Sequence, residues 1–92
     1  MPLFVLHEPS FHRFRIESQA GDAVLLYMPV NEVIVFTHTE VPPEMEGQGI
    51  GGQLAKAGLE YAREQGLKVV ARCPFVASYL KRHPEYQDLV QS

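Results

Sequence analysis

The sequence is poor in cysteine, in positive charge and in long apolar runs, and each shortage argues against a class of protein. Cys73 is the only cysteine among 92 residues, so no disulfide can form within the chain and nothing points to an oxidising compartment. Eight Lys and Arg stand against eleven Asp and Glu, a formal net charge of −3. Because phosphate backbones attract basic patches, this balance argues against a nucleic-acid partner.

Membrane and metal-binding classes are disfavoured on similar grounds. The longest apolar stretch, Ala23–Val30, is far shorter than the roughly 20 residues of a transmembrane helix. The first eight residues lack the basic region and apolar run of a secretory signal. The four histidines (His7, His12, His38 and His83) have no metal-ligand spacing. We therefore expect a cytoplasmic protein without metal, formed by one domain over residues 1–92.

Apolar and polar residues alternate in the first half of the chain and predict strands there. Residues 12–17 alternate apolar with charged side chains. Residues 23–28 are apolar throughout, which is typical of a strand covered on both faces, and residues 33–41 are rich in β-branched side chains. Turns at residues 19–22 and 29–32 would join these segments into a meander of three antiparallel strands.

Helical spacing replaces the strand pattern after Pro42 and Pro43, which end the third strand. Apolar residues recur at helical spacing over 50–62, and Gly66 is a typical helix stop. Residues 67–71 then predict a fourth strand. Because a helix connects it to the third strand, the two should be parallel, with a right-handed crossover.

The end of the chain predicts a short helix and a packed tail. Pro74 suits the first turn of a helix over Pro74–Arg82. Tyr86 and Leu89 are then expected to pack the tail back onto the domain.

A glycine-rich turn over residues 46–52, Glu-Gly-Gln-Gly-Ile-Gly-Gly, joins the third strand to the first helix. The first turn of a helix exposes unpaired N–H groups and partial positive charge, and glycines let an anion approach the backbone closely. The turn therefore suits a pyrophosphate, although a tight structural connection explains a glycine cluster equally well. It lacks the Gly-Lys-Ser/Thr ending of a nucleoside-triphosphatase loop, and an antiparallel meander before it does not match a dinucleotide fold.

Four ordered motifs resemble a known family. They are His-Thr-Glu-Val-Pro at 38–42, Glu-Gly-Gln-Gly-Ile-Gly at 46–51, Cys-Pro-Phe-Val at 73–76 and His-Pro-Glu-Tyr at 83–86. From about Phe14 onward, the chain resembles a very small GNAT-like branch of the GNAT acetyltransferase superfamily. The resemblance implies a mixed α/β sheet, the minimal GNAT-like acyl-CoA acyltransferase fold. Glu46 departs from the pattern, since the superfamily usually has Arg or Gln there.

The resemblance also implies acetyl-CoA (coenzyme A) as the ligand. Amides of the glycine turn would hold its pyrophosphate, and the end of the third strand would hydrogen-bond the pantetheine arm. The cofactor-binding residues implied in this way are Thr39, Val41, Gly47, Gln48, Gly49, Ile50, Gly51 and Gly52.

Four side chains are candidates for catalysis. Cys73 precedes a helix N-terminus, which can make a thiol nucleophilic, and the resemblance implies an acyl-acceptor role. Packing as a small buried hydrophobe is the alternative. His38 and Glu40 share a strand face and either could be a general base, or they could be a cross-strand partner and a bond to the next turn. The resemblance makes Tyr79 a proton donor to the departing thiolate, and a core aromatic is the alternative.

Three functions follow as hypotheses. The first is an acetyl-CoA-dependent N-acetyltransferase acting on an unidentified amine, by direct attack or through Cys73. Residues 1–11 are too few for the helices that form the acceptor wall in this family. A small-molecule or protein acceptor would then bind in an open cleft, or against a second copy of the chain in a homodimer. The second is a non-catalytic CoA- or acyl-CoA-binding accessory or sensor module, and the third is an interaction domain with a plain glycine turn.

Overall fold

The computed structural model describes residues 4–91 and contains a five-stranded sheet with two α-helices. The strands are β1 (Leu6–Glu8), β2 (Arg13–Ile16), β3 (Ala23–Val30), β4 (Val33–Glu40) and β5 (Lys68–Ala71), and the helices are α1 (Ile50–Gln65) and α2 (Pro74–Arg82). Short 3-10 turns cover Pro9–Phe11, Pro43–Met45 and Pro84–Leu89. The mixed α/β class expected from the sequence is confirmed.

The sheet follows chain order from β1 to β5, and only its last pair is parallel. The parallel pairing of β4 with β5 confirms the β-α-β unit. The expected three-stranded meander is wrong by one strand, because β1 pairs antiparallel with β2. Three residues are too few to show an alternating pattern in sequence, so this strand is stabilised by its neighbour rather than by its own propensity.

Strand β3 runs two residues further than predicted, and the turn after it is shorter. Pro29 lies within the strand, opposite Ile34, and only Asn31 and Glu32 separate β3 from β4. Asn31 adopts a left-handed conformation (φ 55°), which asparagine tolerates well. Strand β2 pairs with β3 only as far as Leu26. Pro29 therefore sits where β3 has a free edge and its missing N–H costs little.

Both helices pack on one face of the sheet. The fully buried strand residues share that face, and they are Phe14, Ile16, Ala23, Leu25, Tyr27, Ile34, Phe36 and Val69. On the opposite face Val24 and Leu26 are half-buried and Met28 is 52% exposed. The expectation that residues 23–28 form a strand covered on both faces is therefore wrong.

The end of α1, the bounds of α2 and the packing of the tail match the sequence predictions. Gly66 ends α1 in a left-handed conformation (φ 69°), with its N–H directed to Ala62 and Arg63 carbonyls, as in the usual C-terminal helix cap. Helix α2 has the predicted bounds. Tyr86 and Leu89 are buried. Within residues 4–91 no helix is both long enough and apolar enough to cross a bilayer.

Candidate functional site

Strands β4 and β5 separate after Phe36, and this separation opens a wedge between residues 37–41 and the start of α2. Their pairing ends where Phe36 lies opposite Ala71. The Phe36 carbonyl then accepts the N–H groups of both Arg72 (2.9 Å) and Cys73 (3.0 Å), which turns the chain out of the sheet and into α2. Strand β4 continues to Glu40 without β5 beside it. Across the described chain, no backbone hydrogen bond joins residues 37–41 to β5 or α2.

A β-bulge in β4 decides which side chains face that wedge. Leu26 pairs with His38 and Tyr27 pairs with Phe36, which leaves Thr37 without a partner on β3. The extra residue shifts the alternation, so that Thr39 faces the helices as Phe36 does. His38 and Glu40 share the opposite, uncovered face of the sheet, where their side chains lie 3.1 Å apart.

The glycine turn leaves a row of main-chain donors unpaired. Gly47 (φ 83°) and Gly49 (φ 73°) are left-handed, and a Cβ at either would meet no atom within 4 Å. In the described chain, the N–H groups of residues 47–52 make no hydrogen bond to protein, and the first helical bond of α1 runs from Gln53 N–H to the Gly49 carbonyl. The Gln48 amide group is turned back to the Glu44 carbonyl (3.1 Å). No side chain of the turn itself occupies these donors, so the arrangement suits an anion.

A cleft of about 670 Å³ connects the glycine turn with the wedge, a volume within the range of small-molecule sites. Helix α2 contributes one face at i, i+4, i+7 and i+8 spacing. The lining residues are Thr39, Val41, Met45, Glu46, Gly47, Gly49, Ile50, Gly51, Gly52, Phe75, Tyr79, Arg82 and His83. The cleft thus presents main-chain groups at the turn and, along α2, the aromatic rings of Phe75 and Tyr79 followed by Arg82 and His83.

Most of the predicted cofactor-binding residues come together in this cleft, but not all candidates do. Seven of them line it, and Tyr79 lies across from them on α2. Gln48 is not in the lining. His38 and Glu40 lie on the other face of the sheet, outside the cleft, and their side chains are 56% and 73% exposed. The described residues contain no group of three side chains able to hold a metal ion.

Phe75, in the Cys-Pro-Phe-Val motif, lines the cleft, and the sequence predicts that it packs beneath the cofactor or the sheet. Its ring lies so close to Gly51 that a Cβ there would fall 2.6 Å from Phe75 Cζ. Gly51 is therefore needed for helix packing, whereas Gly47 and Gly49 face open space. The helical spacing of Phe75, Tyr79 and Arg82 was the available signal.

Tyr79 combines burial with a place in the cleft. It is 7% exposed, and its ring stacks on His83 with centroids 3.9 Å apart. Burial, and then the negative charge of Glu85, raise the pKa of the Tyr79 hydroxyl. The hydroxyl therefore keeps its proton well above neutral pH, as a proton donor must.

Cys73 lies beneath the cleft surface rather than in it. It is 3% exposed, and its sulfur lies 3.0 Å from the hydroxyl oxygen of Thr39, which does line the cleft. Cys73 is also the residue from which α2 begins. A ligand reaching Cys73 would have to pass Thr39 or displace it.

Comparisons with known proteins agree over nearly the whole chain. A family model described as GCN5-related N-acetyl-transferase matches residues 13–89. Protein NATD1 of Gallus gallus is 38% identical over 91 residues, which are 96% of this chain and 83% of that protein. Protein NATD1 of Danio rerio is 33% identical over 93 residues, 96% and 84% of the two chains. The solution NMR structure of a GCN5-like protein from Staphylococcus aureus has a TM-score of 0.78 and 34% identity, covering 98% of this chain and 89% of that one.

Proposed function

Since the chain belongs to the GCN5-related N-acetyltransferase family, we propose that it binds acetyl-CoA in the cleft and transfers the acetyl group to an amine of a small molecule or protein. The observation that carries this proposal is the row of unpaired N–H groups over residues 47–52 at the start of α1. These N–H groups suit a pyrophosphate for two reasons. They carry no formal charge that would have to be desolvated, and ligand binding breaks no hydrogen bond that they already make.

The unpaired edge of β4 supports the same ligand. Residues 37–41 pair with no described strand on the β5 side, so their main-chain groups can bond an extended chain that carries amides, as an added strand would. Thr39 and Val41 line the cleft from this edge. We assign the pantetheine arm to it, with the pyrophosphate at Gly47, Gly49 and the first residues of α1.

Acetyl-CoA, when bound, supplies a thioester carbonyl as the electrophile. Tyr79 holds a proton in the cleft and is the donor that we assign to the leaving thiolate. The Cys73 thiol is an alternative to the amine as the first acceptor of the acetyl group. If it attacks, its sulfur would form a thioester with the acetyl carbon as the carbon–sulfur bond to the cofactor breaks, and the thiol proton would pass to the departing cofactor thiolate. The amine would then attack the Cys73 thioester, form the amide and return a proton to the Cys73 sulfur.

One observation favours a non-catalytic CoA- or acyl-CoA-binding module as the second candidate. Neither proposed base reaches the cleft, since His38 and Glu40 lie on the uncovered face of the sheet. For either to act as a base, the acceptor amine would have to approach over the end of β4. A module that only senses or carries acyl-CoA needs no base.

Calorimetric titration with acetyl-CoA tests binding, and Gly66 supplies a matched control. Gly49→Leu places a side chain at the turn, whereas Gly66→Leu imposes similar left-handed strain (φ 73° and 69°) at the other end of α1, in equally open space. We expect Gly49→Leu to weaken binding more than about tenfold, and Gly66→Leu to change it less than about twofold. Equal affinities for the two variants would contradict a phosphate site at the turn.

Release of free CoA thiol in the presence of amines and peptides separates the two candidate functions. An N-acetyltransferase releases thiol with at least one acceptor, and Tyr79→Phe slows that release by about 100-fold. Binding without release from any acceptor would favour the accessory module. Intact-mass measurement, compared with Cys73→Ala, shows whether Cys73 is acetylated on the way.

A further inference from the structure

Arg82 is the one permanently cationic side chain among the described residues that line the cleft. In the described chain it makes no ion pair, as is also true of the exposed Arg72, whereas Arg13, Arg15 and Arg63 are each bound to carboxylates. The glycine turn contributes no positive side chain, and its Glu46 is acidic. Its charge suits the last turn of α2, and its exposed guanidinium, unpaired within the described residues, is available to an anionic ligand in the cleft.

The position of Arg82 separates it from the unpaired amides. Gly51 lies against Phe75, and a Cβ at Gly52 would lie 3.7 Å from the ring of Tyr79, so the start of α1 is level with the first two turns of α2. Arg82 lies three residues beyond Tyr79, about 4.5 Å further along the helix. Thr39 and Cys73 mark the opposite end, about 13 Å from Arg82 along the axis.

The cleft therefore has two positions that can bind a negatively charged group. One is the row of uncharged N–H groups at the glycine turn, and the other is the Arg82 guanidinium, which lies further from Thr39. A ligand that fills both must carry a phosphate outside its pyrophosphate, on the side away from its extended arm. In coenzyme A that group is the 3′-phosphate of the adenosine.

We propose that Arg82 binds the 3′-phosphate of coenzyme A and so makes the site selective for the phosphorylated cofactor over dephospho-CoA. The assignment rests on the proposed function. A planar guanidinium donates two parallel hydrogen bonds to a phosphate. The neighbouring His83 stacks on Tyr79 and lies 3.5 Å from the carboxylate of Glu85. Because Glu85 is directed to His83, it does not occupy the guanidinium of Arg82.

Calorimetric titration of CoA and of dephospho-CoA into three proteins tests the assignment. We expect the wild-type protein to bind CoA about tenfold more tightly than dephospho-CoA, as befits a charged hydrogen bond in an open cleft. Arg82→Gln should lose about tenfold for CoA but less than about twofold for dephospho-CoA. Lys81→Gln removes the same charge from the next residue, which does not line the cleft, and should keep the tenfold ratio.

The outcomes distinguish this assignment from the proposed function. If neither ligand binds the wild-type protein at millimolar concentration, both fail. If CoA binds but Arg82→Gln loses equal affinity for both ligands, or Lys81→Gln also removes the preference, only the role of Arg82 fails. Arg82→Lys should prefer CoA over dephospho-CoA more than Arg82→Gln does but less than wild type. This partial recovery would support a charge contact, because lysine keeps the positive charge but not the planar, two-pronged donor geometry of the guanidinium.

Discussion

Gly58 of α1 lies directly on the ring of Phe36 in β4, so close that a Cβ at residue 58 would fall 2.7 Å from Phe36 Cε1 and 3.2 Å from a methyl carbon of Leu25. Phe36 is fully buried, and its carbonyl holds the chain where β5 turns into α2. The absence of a side chain at Gly58 thus sets how closely α1 approaches the sheet beside the wedge.

Replacement of Gly58 by alanine should therefore destabilise the protein. Overpacking in a close-packed core costs about 1–3 kcal/mol, against which alanine regains up to about 1 kcal/mol of helix propensity. With the full gain in helix propensity, we expect a net loss of up to about 2 kcal/mol in the free energy of unfolding, measured by urea denaturation. Gly52→Ala, in the same helix but with only an ordinary contact at 3.7 Å, should stay within about 1 kcal/mol of wild type. Equal stability of the two variants would show that α1 can shift without cost.

Glu8 should make stability depend on pH in the acid range. Hydrogen bonds from Arg15 and then Arg13 lower the pKa of the Glu8 carboxyl to about 2, from a usual value of 4.5. The unfolded chain therefore takes up this proton more readily than the folded protein. The stability that Glu8 contributes is complete above pH 4.5 and is lost as the pH falls towards 2.

Unfolding free energies measured between pH 5 and pH 2 check this dependence. The Glu8→Gln variant should lose less stability over that interval than wild type does, because residue 8 no longer titrates. Glu64→Gln, which removes an exposed carboxylate without an ion pair in the described chain, should follow the wild-type curve. If Glu8→Gln falls as steeply as wild type, other carboxylates dominate the acid range.

The sequence predicted the elements whose signals are local. Gly66 ends α1, Pro74 begins α2, and the helix between β4 and β5 required them to be parallel, and the structure confirms each. The family expected from the four motifs is confirmed as well. The acyl-acceptor role expected for Cys73 stays a prediction.

Features that depend on contacts between distant segments could not be predicted. The three residues of β1 form a strand because β2 lies beside them, and the apolar run of β3 gave no sign that one of its faces is uncovered. Two-residue alternation correctly placed His38 and Glu40 on one face, but the bulge at Thr37 decides which face that is. The position of the bulge depends on the register between β4 and β3, and no residue type within β4 indicates where it lies.

Glu46 should oppose binding of a pyrophosphate. Glu46 lines the cleft next to the unpaired amides, and a negative charge there repels an anionic ligand. We expect Glu46→Gln to bind acetyl-CoA about twofold to tenfold more tightly, with the gain shrinking in high salt. Glu44→Gln, two residues away and outside the lining, should leave the affinity unchanged. A loss of affinity in Glu46→Gln would mean that this carboxylate accepts a hydrogen bond from the ligand.

Burial of Cys73 should make its thiol slow to react in the folded protein. The residue is 3% exposed and sits against Thr39, so a reagent reaches the sulfur only when α2 or the end of β4 opens. We expect iodoacetamide to alkylate Cys73 on the order of 100-fold more slowly under native conditions than in urea. Thr39→Ala should increase the native rate by uncovering the sulfur, whereas Thr37→Ala, at the bulge, should not. Fast alkylation of the wild-type protein would show that the thiol is open to the cleft, and direct attack by an amine would then have to compete with acylation of Cys73.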